Sequence, residues 1–218
     1  MSKTIAIIGG TGALGTGLAL RWAHAGYTVI IGSRTAEKAQ AAAAELNAEL
    51  GSESIHGMEN AAAVAAAELA ILTVEQDAHE AALASVKDAL QGKVLLDATA
   101  RLNFPALTPP PAPAAARRAQ DLLGDGVKVA AAFQTVPAAA LRKNITEPLD
   151  SDVLVCADDM AAVEAALELV QAAGLTGYYA GKLDNAITVE GLTSILVSMN
   201  KHYKSRHGTI KVAGIPKP

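Results

Sequence analysis

The sequence predicts an α/β fold built on a doubly wound, mostly parallel sheet. Short apolar runs rich in β-branched residues alternate with helical patterns along residues 1–135, and this alternation is typical of a parallel sheet covered by helices. The first run, residues 4–8, leads into Gly10-x-Gly12-x-x-Gly15. A helical pattern and a second apolar run then follow, in the order that a Rossmann-type nucleotide-binding unit requires.

Each element of the first 135 residues has a local signal. The expected strands are residues 4–8, 28–31, 54–57, 69–74, 94–97 and 127–133. The expected helices are residues 14–25, 35–50, 60–67, 77–90 and 113–123. Gly26 is placed to end the first helix, and Thr35 to cap the second. Five prolines exclude regular structure from residues 103–113. This loop could be a lid, a wall of the functional site or a plain linker, and we favour the wall because active sites gather at strand ends.

The remaining residues predict a smaller α/β extension. Strands at residues 152–157 and 176–180 flank a helix at residues 159–172. A long apolar helix over about residues 186–203 completes the extension. One face of this helix carries four apolar side chains, those of Leu192, Ile195, Leu196 and Met199. We expect it to be buried against the first domain or against a second copy of the chain.

The glycine turn predicts a dinucleotide site. Gly10 allows a tight turn out of the strand, Gly12 lets a pyrophosphate approach the backbone, and Gly15 lets helix and strand pack closely. The N-terminus of the following helix offers unpaired N–H groups and partial positive charge to the phosphates.

The end of the second strand predicts which dinucleotide binds. An NAD site has an acidic residue there for the ribose 2′-hydroxyl, whereas this chain has Ser33 and Arg34, with Lys38 one helical turn further on. A hydroxyl, a guanidinium and an ammonium suit a 2′-phosphate instead. We therefore expect NADP(H), bound by a domain spanning residues 1–135. Residues 136–218 would form a smaller domain that closes the site and dimerises.

The composition limits the binding partners and the cellular location that we expect for this protein. The chain has 218 residues, a net charge of −4 and a single cysteine, Cys156. Mild acidity argues against nucleic acid as a partner, one cysteine excludes an intramolecular disulfide, and no apolar run is long enough to span a membrane. We expect a cytoplasmic homodimer.

The titratable residues suggest no acid–base site. His56 and His79 are expected at the surface, and Cys156 is expected in the core of a strand. No metal-ligand cluster is apparent, and no His–Asp or Lys–Glu pair stands at a motif. We therefore expect no catalytic side chain and no metal. Hydride transfer between two cofactors requires only placement and the exclusion of water.

Several longer motifs resemble the F420H2:NADP+ oxidoreductases. They are residues 9–21 around the glycine turn, 32–34, 132–138, 153–159, 180–186 and 189–193, with Asn200 and Gly208-x-x-Lys211. The resemblance spans nearly the whole chain. It implies hydride exchange between NADP(H) and the 5-deazaflavin coenzyme F420, in a site that a small C-terminal domain helps to close.

The resemblance also implies roles for individual residues. The pyrophosphate would be held by Thr11, Gly12, Ala13 and Leu14. The 2′-phosphate would be held by Ser33, Arg34 and Lys38. Thr73, Val74 and Ala100 would line the nicotinamide half, which Ala138 and Gly208 would reach from the other side. The deazaflavin ring would stack over the nicotinamide near residues 133–138, where Gln134 could donate a hydrogen bond to a ring carbonyl.

This chain departs from the family pattern on the deazaflavin side. Glu75 stands where the family usually has Pro, Gln134 where it usually has His, and Pro113-Ala114-Ala115 where a helix often begins with Gly-Ser. Two other functions therefore stay open. One is an NADPH-dependent reductase of another acceptor, such as an imine, a carbonyl, a flavin or a ferric chelate. The other is a non-enzymatic NADP-sensing module with the same fold. A carbonyl reductase should place a Lys, His or Tyr near the nicotinamide.

Overall fold

A computed structural model describes residues 3–216 and contains, within that range, one continuous eight-stranded sheet. The strands are β1 Thr4–Ile8, β2 Thr28–Ser33, β3 Ile55–Glu59, β4 Leu69–Leu72, β5 Val94–Asp97, β6 Lys128–Ala131, β7 Asp152–Ala157 and β8 Thr176–Tyr179. Their order is β3-β2-β1-β4-β5-β6-β7-β8. Only the β6–β7 pair is antiparallel among these strands. The predicted doubly wound, mostly parallel sheet is confirmed.

Helices cover both faces of the sheet. They are α1 Ala13–His24, α2 Ala36–Leu50, α3 Asn60–Ala65, α4 His79–Val86, α5 Ala115–Leu123, α6 Ala138–Leu141, α7 Met160–Ala172 and α8 Ala186–His202. Alternate residues of β1 divide the core, because Ile5 and Ile7 pack with α1, α2 and α7, while Ala6 and Ile8 pack with α3, α4 and α5. Most predicted elements are present with shifted ends. Thr35 occupies the N-cap position of α2 as expected, although its side chain makes no capping hydrogen bond.

The last helix has the predicted length but a more mixed character. Its inward side buries Glu190 and Ser194 completely, so polar contacts as well as apolar ones hold it in place. Its outward side exposes Ile195 by 50% and Met199 by 47%. The strands before it, β7 and β8, extend the same sheet as the nucleotide-binding strands. The division into two domains near residue 135 stays a prediction.

Arg21 of α1 connects the N-terminal half of the chain to residues 141–173. Its side chain is buried, with the residue 2% exposed. The guanidinium donates hydrogen bonds to five backbone carbonyls, those of Leu141, Lys143, Asn144, Glu147 and Ala173. The neighbouring Trp22 indole donates to the Leu169 carbonyl of α7 at 2.8 Å. The helix that follows the glycine turn is therefore fixed to residues 141–173 by polar bonds as well as by packing.

A surface cluster also joins α7 to the N-terminal strands. The Glu168 carboxylate accepts hydrogen bonds from the Lys3 ammonium at 2.6 Å and from the Tyr27 hydroxyl at 2.8 Å. The Lys3 bond, followed by the Tyr27 bond, lowers the pKa of Glu168 below its ordinary value. Burial, followed by Glu168, raises the pKa of Tyr27 to about 12.

Candidate functional site

The glycine turn leaves space on the side from which a phosphate would approach it. After β1, the Gly10 N–H donates to the Gly32 carbonyl at 2.9 Å, which folds the turn against β2. A Cβ atom at Gly15 would lie 2.7 Å from the Gly10 Cα, so this position must lack a side chain for α1 to pack. A Cβ at Gly12 would meet nothing nearer than the Gly9 carbonyl at 3.9 Å. Gly12 therefore faces open space.

No side chain caps the helix that begins at this turn. Gly12 is the N-cap residue of α1 and makes no side-chain capping bond, and the first turn contains no acidic residue. The first N–H groups of a helix have no partners within the helix, and they carry partial positive charge. This end of α1 is therefore suited to an anionic ligand.

A pocket of about 630 Å³ opens in front of the turn. Seven residues that the sequence assigned to cofactor binding line it: Thr11, Gly12, Ser33, Arg34, Lys38, Thr73 and Val74. They come from the glycine turn after β1, from the end of β2 and the start of α2, and from the end of β4; β2 and β4 are the two neighbours of β1 in the sheet. The carboxyl ends of parallel strands are where open α/β sheets bind ligands.

Two cationic residues of the pocket lining stand beyond the end of β2 and make no ion pair with the described residues. Arg34 and Lys38 are exposed, and within residues 3–216 neither one pairs with a carboxylate. The Ser33 hydroxyl group stands next to them in a residue that is 6% exposed. Glu59 is the register partner of Ser33 on β3, but it does not line the pocket. A hydroxyl and two free cations fit a 2′-phosphate.

The opposite wall of the pocket was not foreseen from the sequence. Small side chains of α4 and of the turn before it form this wall: Ala78, Ala81, Ala82 and Ser85. Glu75 and Asp77 add two exposed carboxylates. Asn60 was missed as well, although its Oδ1 accepts the Gly9 N–H at 3.2 Å and supports the glycine turn. The regular spacing of small residues in and before α4 was the sequence signal from which this wall could have been predicted.

The other eight predicted residues do not line this pocket. Gly10, Ala13, Leu14 and Gly15 belong to the turn and to the first turn of α1. Ala100 follows β5, and Ala138 begins α6. Gly208 lies in the tail after α8, where its N–H donates to the Asn200 Oδ1 at 2.9 Å.

Gln134, the eighth of these residues, is fixed by hydrogen bonds at the end of β6. Its side-chain Nε2 donates to the Asp97 carbonyl at 2.8 Å, and its own carbonyl accepts the Thr193 hydroxyl of α8 at 3.0 Å. Its Oε1 is buried and has no partner within residues 3–216. The preceding residue, Phe133, has a left-handed φ of 74°, a strained conformation that is common at functional turns. Gln134 therefore has a free acceptor oxygen and one further amide N–H beyond the one that bonds to Asp97.

The expectation that His79 is a surface residue was wrong, and its pairing with Asp97 could not be seen in the sequence. The His79 Nε2 lies 2.6 Å from the Asp97 Oδ2, and both side chains are buried. Asp97 ends β5 and His79 begins α4, so the fold joins residues that no sequence spacing connects. The other carboxylate oxygen of Asp97 accepts the Thr99 N–H at 2.9 Å. The pair thus shapes the turn that carries Ala100.

A second buried carboxylate fixes the proline loop. Glu190 of α8 is fully buried. It accepts hydrogen bonds from the Ala115 N–H at 2.6 Å and from the Arg101 Nε at 3.0 Å. Burial raises the pKa of the Glu190 carboxyl, although both partners favour its charged form. Cys156 is also buried, as expected, and burial raises the pKa of its thiol to about 11.

These features define the class of protein. A doubly wound sheet with a glycine turn, an uncapped helix N-terminus and free cations at the end of β2 is a Rossmann-type protein whose pocket fits a 2′-phosphorylated dinucleotide. Within residues 3–216 no helix is long and apolar enough to cross a membrane.

Comparisons with known proteins identify the family. The family model "NADP oxidoreductase coenzyme F420-dependent" matches residues 4–101. The chain is 39% identical to the F420-dependent NADP reductase of Methanothermobacter thermautotrophicus, over 99% of this chain and 97% of that protein. It is 41% identical to the enzyme of the same name from Methanothermobacter marburgensis, over 97% of this chain and 99% of that protein. The chain therefore belongs to the F420-dependent NADP reductase family, as its motifs predicted.

A solved structure shares the whole fold. It is a protein from Arthrobacter sp. FB24, provisionally described as an F420-dependent NADP reductase. It matches with a TM-score of 0.81 and 24% sequence identity, over 98% of this chain and 100% of that chain. At this identity the match shows the fold alone.

Proposed function

We propose that this protein transfers a hydride between NADP(H) and the deazaflavin coenzyme F420. The observation that carries the proposal is the open, uncapped glycine turn facing the same pocket as two unpaired cations, in a chain that belongs to this family throughout its length. The dinucleotide and the deazaflavin are both substrates, and neither requires a side chain as reagent.

The pyrophosphate is assigned to the glycine turn. Residues 11–14 would surround it with backbone N–H groups, and the missing side chain of Gly12 leaves room for its oxygens. The Asn60 bond to the Gly9 N–H holds the turn in that shape. Fixed N–H groups orient the phosphates without reorganising when they bind.

The 2′-phosphate is assigned to Ser33, Arg34 and Lys38. The Arg34 guanidinium can form two parallel bonds to a phosphate, and Lys38 adds a point charge. Both cations lack other partners within residues 3–216, so binding does not require an existing ion pair to be broken.

The nicotinamide end is assigned to the turns after β4 and β5. Thr73, Val74 and Ala100 would line one side of the ring, with Ala138 and Gly208 approaching from the other. The free Oε1 of Gln134 would accept an N–H from one of the two substrates. In one direction, the hydride leaves C5 of the reduced deazaflavin for C4 of the nicotinamide, and the deazaflavin releases a proton. The role of these residues is to hold two rings in contact and to exclude water.

The remaining proposals concern the assembly. Residues 1–135 would bind NADP(H), and residues 136–218 would cover the second substrate. The exposed Ile195 and Met199 of α8 support a homodimer formed through that helix. We also propose a cytoplasmic location, because both substrates are cytoplasmic redox carriers.

The assay follows NADPH formation when chemically reduced F420 is mixed with NADP+ under anaerobic conditions, without added metal. We expect a rise in NADPH that matches F420 formation one to one, and a much smaller rate with NAD+. A reduced flavin serves as the control donor. Turnover with the flavin and none with the deazaflavin would favour a reductase of another acceptor, and NADP+ binding without any turnover would favour a sensor.

A further inference from the structure

A second cavity, of about 430 Å³, lies beside the NADP pocket and has no assigned role. The two cavities share the lining residue Asp77, so they are neighbours. Pro110 and Pro111 of the proline loop line the second cavity, and so do Arg101 and Arg118. Prolines have few backbone conformations, so this part of the lining is stiff.

Arg101 is held in place before any ligand arrives. Its Nε lies 3.0 Å from the buried Glu190 carboxylate, and its Nη2 donates to the Pro111 carbonyl at 2.6 Å. The side chain is only 13% exposed. A guanidinium has five N–H donors, and these contacts use two of them. Arg101 thus has unused donors at a fixed position in the cavity.

Arg118 has almost no compensating charge. Its closest carboxylate oxygen within residues 3–216 is the Glu80 Oε1 at 3.9 Å, which is too long for a hydrogen bond. The neighbouring Arg117 differs, because its guanidinium bonds to Asp158 and to Asp184, at 2.7 Å in each case. Arg118 therefore remains available for an external anion.

The position of the cavity indicates which anion it would hold. Arg101 directly follows Ala100, in the turn assigned to the nicotinamide end. A ring stacked on the nicotinamide would therefore have the cavity within reach of a flexible chain attached to it. Asp77 is the one carboxylate among the residues lining the cavity, and two guanidinium groups outnumber it.

We propose that this cavity binds the anionic tail of the deazaflavin substrate, through its phosphodiester and glutamate carboxylate groups. The proposal rests on the proposed function, because it deepens the assignment of the second substrate. Arg101 would provide a fixed donor and Arg118 an adjustable one, and both groups suit phosphate and carboxylate oxygens.

The test uses Arg118 and not Arg101, because removing Arg101 would leave Glu190 buried and unpaired and could unfold the protein. Arg118→Ala and Arg118→Glu are compared with Arg117→Ala, which removes the same charge from the next position of α5. The ligands are F420 and the same deazaflavin chromophore without its tail. Binding is measured by deazaflavin fluorescence at two salt concentrations, and the KM of each ligand is measured at saturating NADP+.

We expect Arg118→Ala to weaken F420 binding and raise its KM by about fivefold, which is the size expected for a half-exposed charge. Arg118→Glu should have a larger effect. The tail-less chromophore should change by less than about twofold in either variant. Wild-type binding of F420 should weaken as salt is raised, and less so in Arg118→Ala. Arg117→Ala should match the wild type in all these measurements.

The outcomes separate the tail site from the proposed function. If the wild type turns over both deazaflavins but Arg118 variants bind them equally well, the tail site is wrong and the function stands. If equal losses occur for tailed and tail-less ligands, Arg118 acts on the chromophore or on the fold, and the tail site is again wrong. If the wild type binds F420 through Arg118 without turnover, the tail site stands and the proposed reaction fails. No binding of either deazaflavin overturns both.

Discussion

Replacing Arg34 by alanine tests the cofactor assignment most directly. The Arg34 guanidinium lies at the end of β2, lines the NADP pocket and has no ion pair within residues 3–216. If it binds the 2′-phosphate, its loss should weaken NADPH binding and leave NADH binding nearly unchanged, because NADH has a hydroxyl at that position.

The size of the effect follows from the site. A hydrogen bond to a charged group contributes about 1.5–3 kcal/mol, and a guanidinium can make two such bonds to a phosphate. Arg34 is exposed, so solvent screening favours the lower half of that range, about 1.5–2 kcal/mol. This corresponds to a Kd for NADPH that rises about 10- to 30-fold. Because Arg34 holds no partner in the fold, the free energy of unfolding should change by less than about 0.5 kcal/mol.

The assay is the equilibrium binding of NADPH and NADH, by nicotinamide fluorescence, to wild type and variant. Arg142→Ala is the matched control, because Arg142 pairs with Glu49 outside the pocket lining and its loss removes the same charge. Lys38→Ala should repeat the pattern with a smaller loss, since an ammonium makes no bidentate contact. Equal losses for NADPH and NADH, or an unchanged Kd for NADPH, would refute the assignment of the 2′-phosphate.

Three further predictions follow from other parts of the structure. Gly12→Ala should leave the melting temperature unchanged but weaken NADP+ binding at least about tenfold, because the new methyl group fills only space that the ligand would occupy. Gly15→Ala should instead lower the melting temperature, because its Cβ would clash with the backbone of Gly10. His79→Leu should lower the free energy of unfolding, measured by urea denaturation, by about 3–5 kcal/mol, because the Asp97 carboxylate stays buried without its partner. A loss below about 1 kcal/mol would contradict this expectation. The lowered pKa of Glu168 means that its bonds stabilise the fold above pH about 4.5 and lose that contribution as pH falls through the lowered pKa. Glu168→Gln should therefore reduce the loss of stability on acidification, measured by urea unfolding at a series of pH values.

The sequence predicted the fold more completely than the site. Strands and helices repeat with local periods, and the glycine turn has a fixed spacing, so β1, α1 and β2 could be placed from pattern alone. Ser33, Arg34 and Lys38 were found for the same reason, since they sit at a known distance beyond that turn. These residues belong to one continuous segment of chain.

The residues that were missed come together only through the fold. His79 and Asp97 have 17 residues between them and no motif in common, yet the start of α4 and the end of β5 place their side chains in contact. The hydrogen bond from the Gln134 amide to the Asp97 carbonyl was not foreseen either. Such contacts depend on the order of strands in the sheet, which local sequence patterns do not specify.

The carbonyl cage around Arg21 limits how this protein can be divided. A fragment ending at residue 135 would retain the guanidinium and lose all five of its acceptors, which lie between residues 141 and 173. The buried indole of Trp22 would lose its acceptor, the Leu169 carbonyl, as well. Gene fusions or split-protein sensors built from this chain should therefore keep the nucleotide-binding half attached to the strands that follow it. Their junctions are better placed at the chain ends than between the halves.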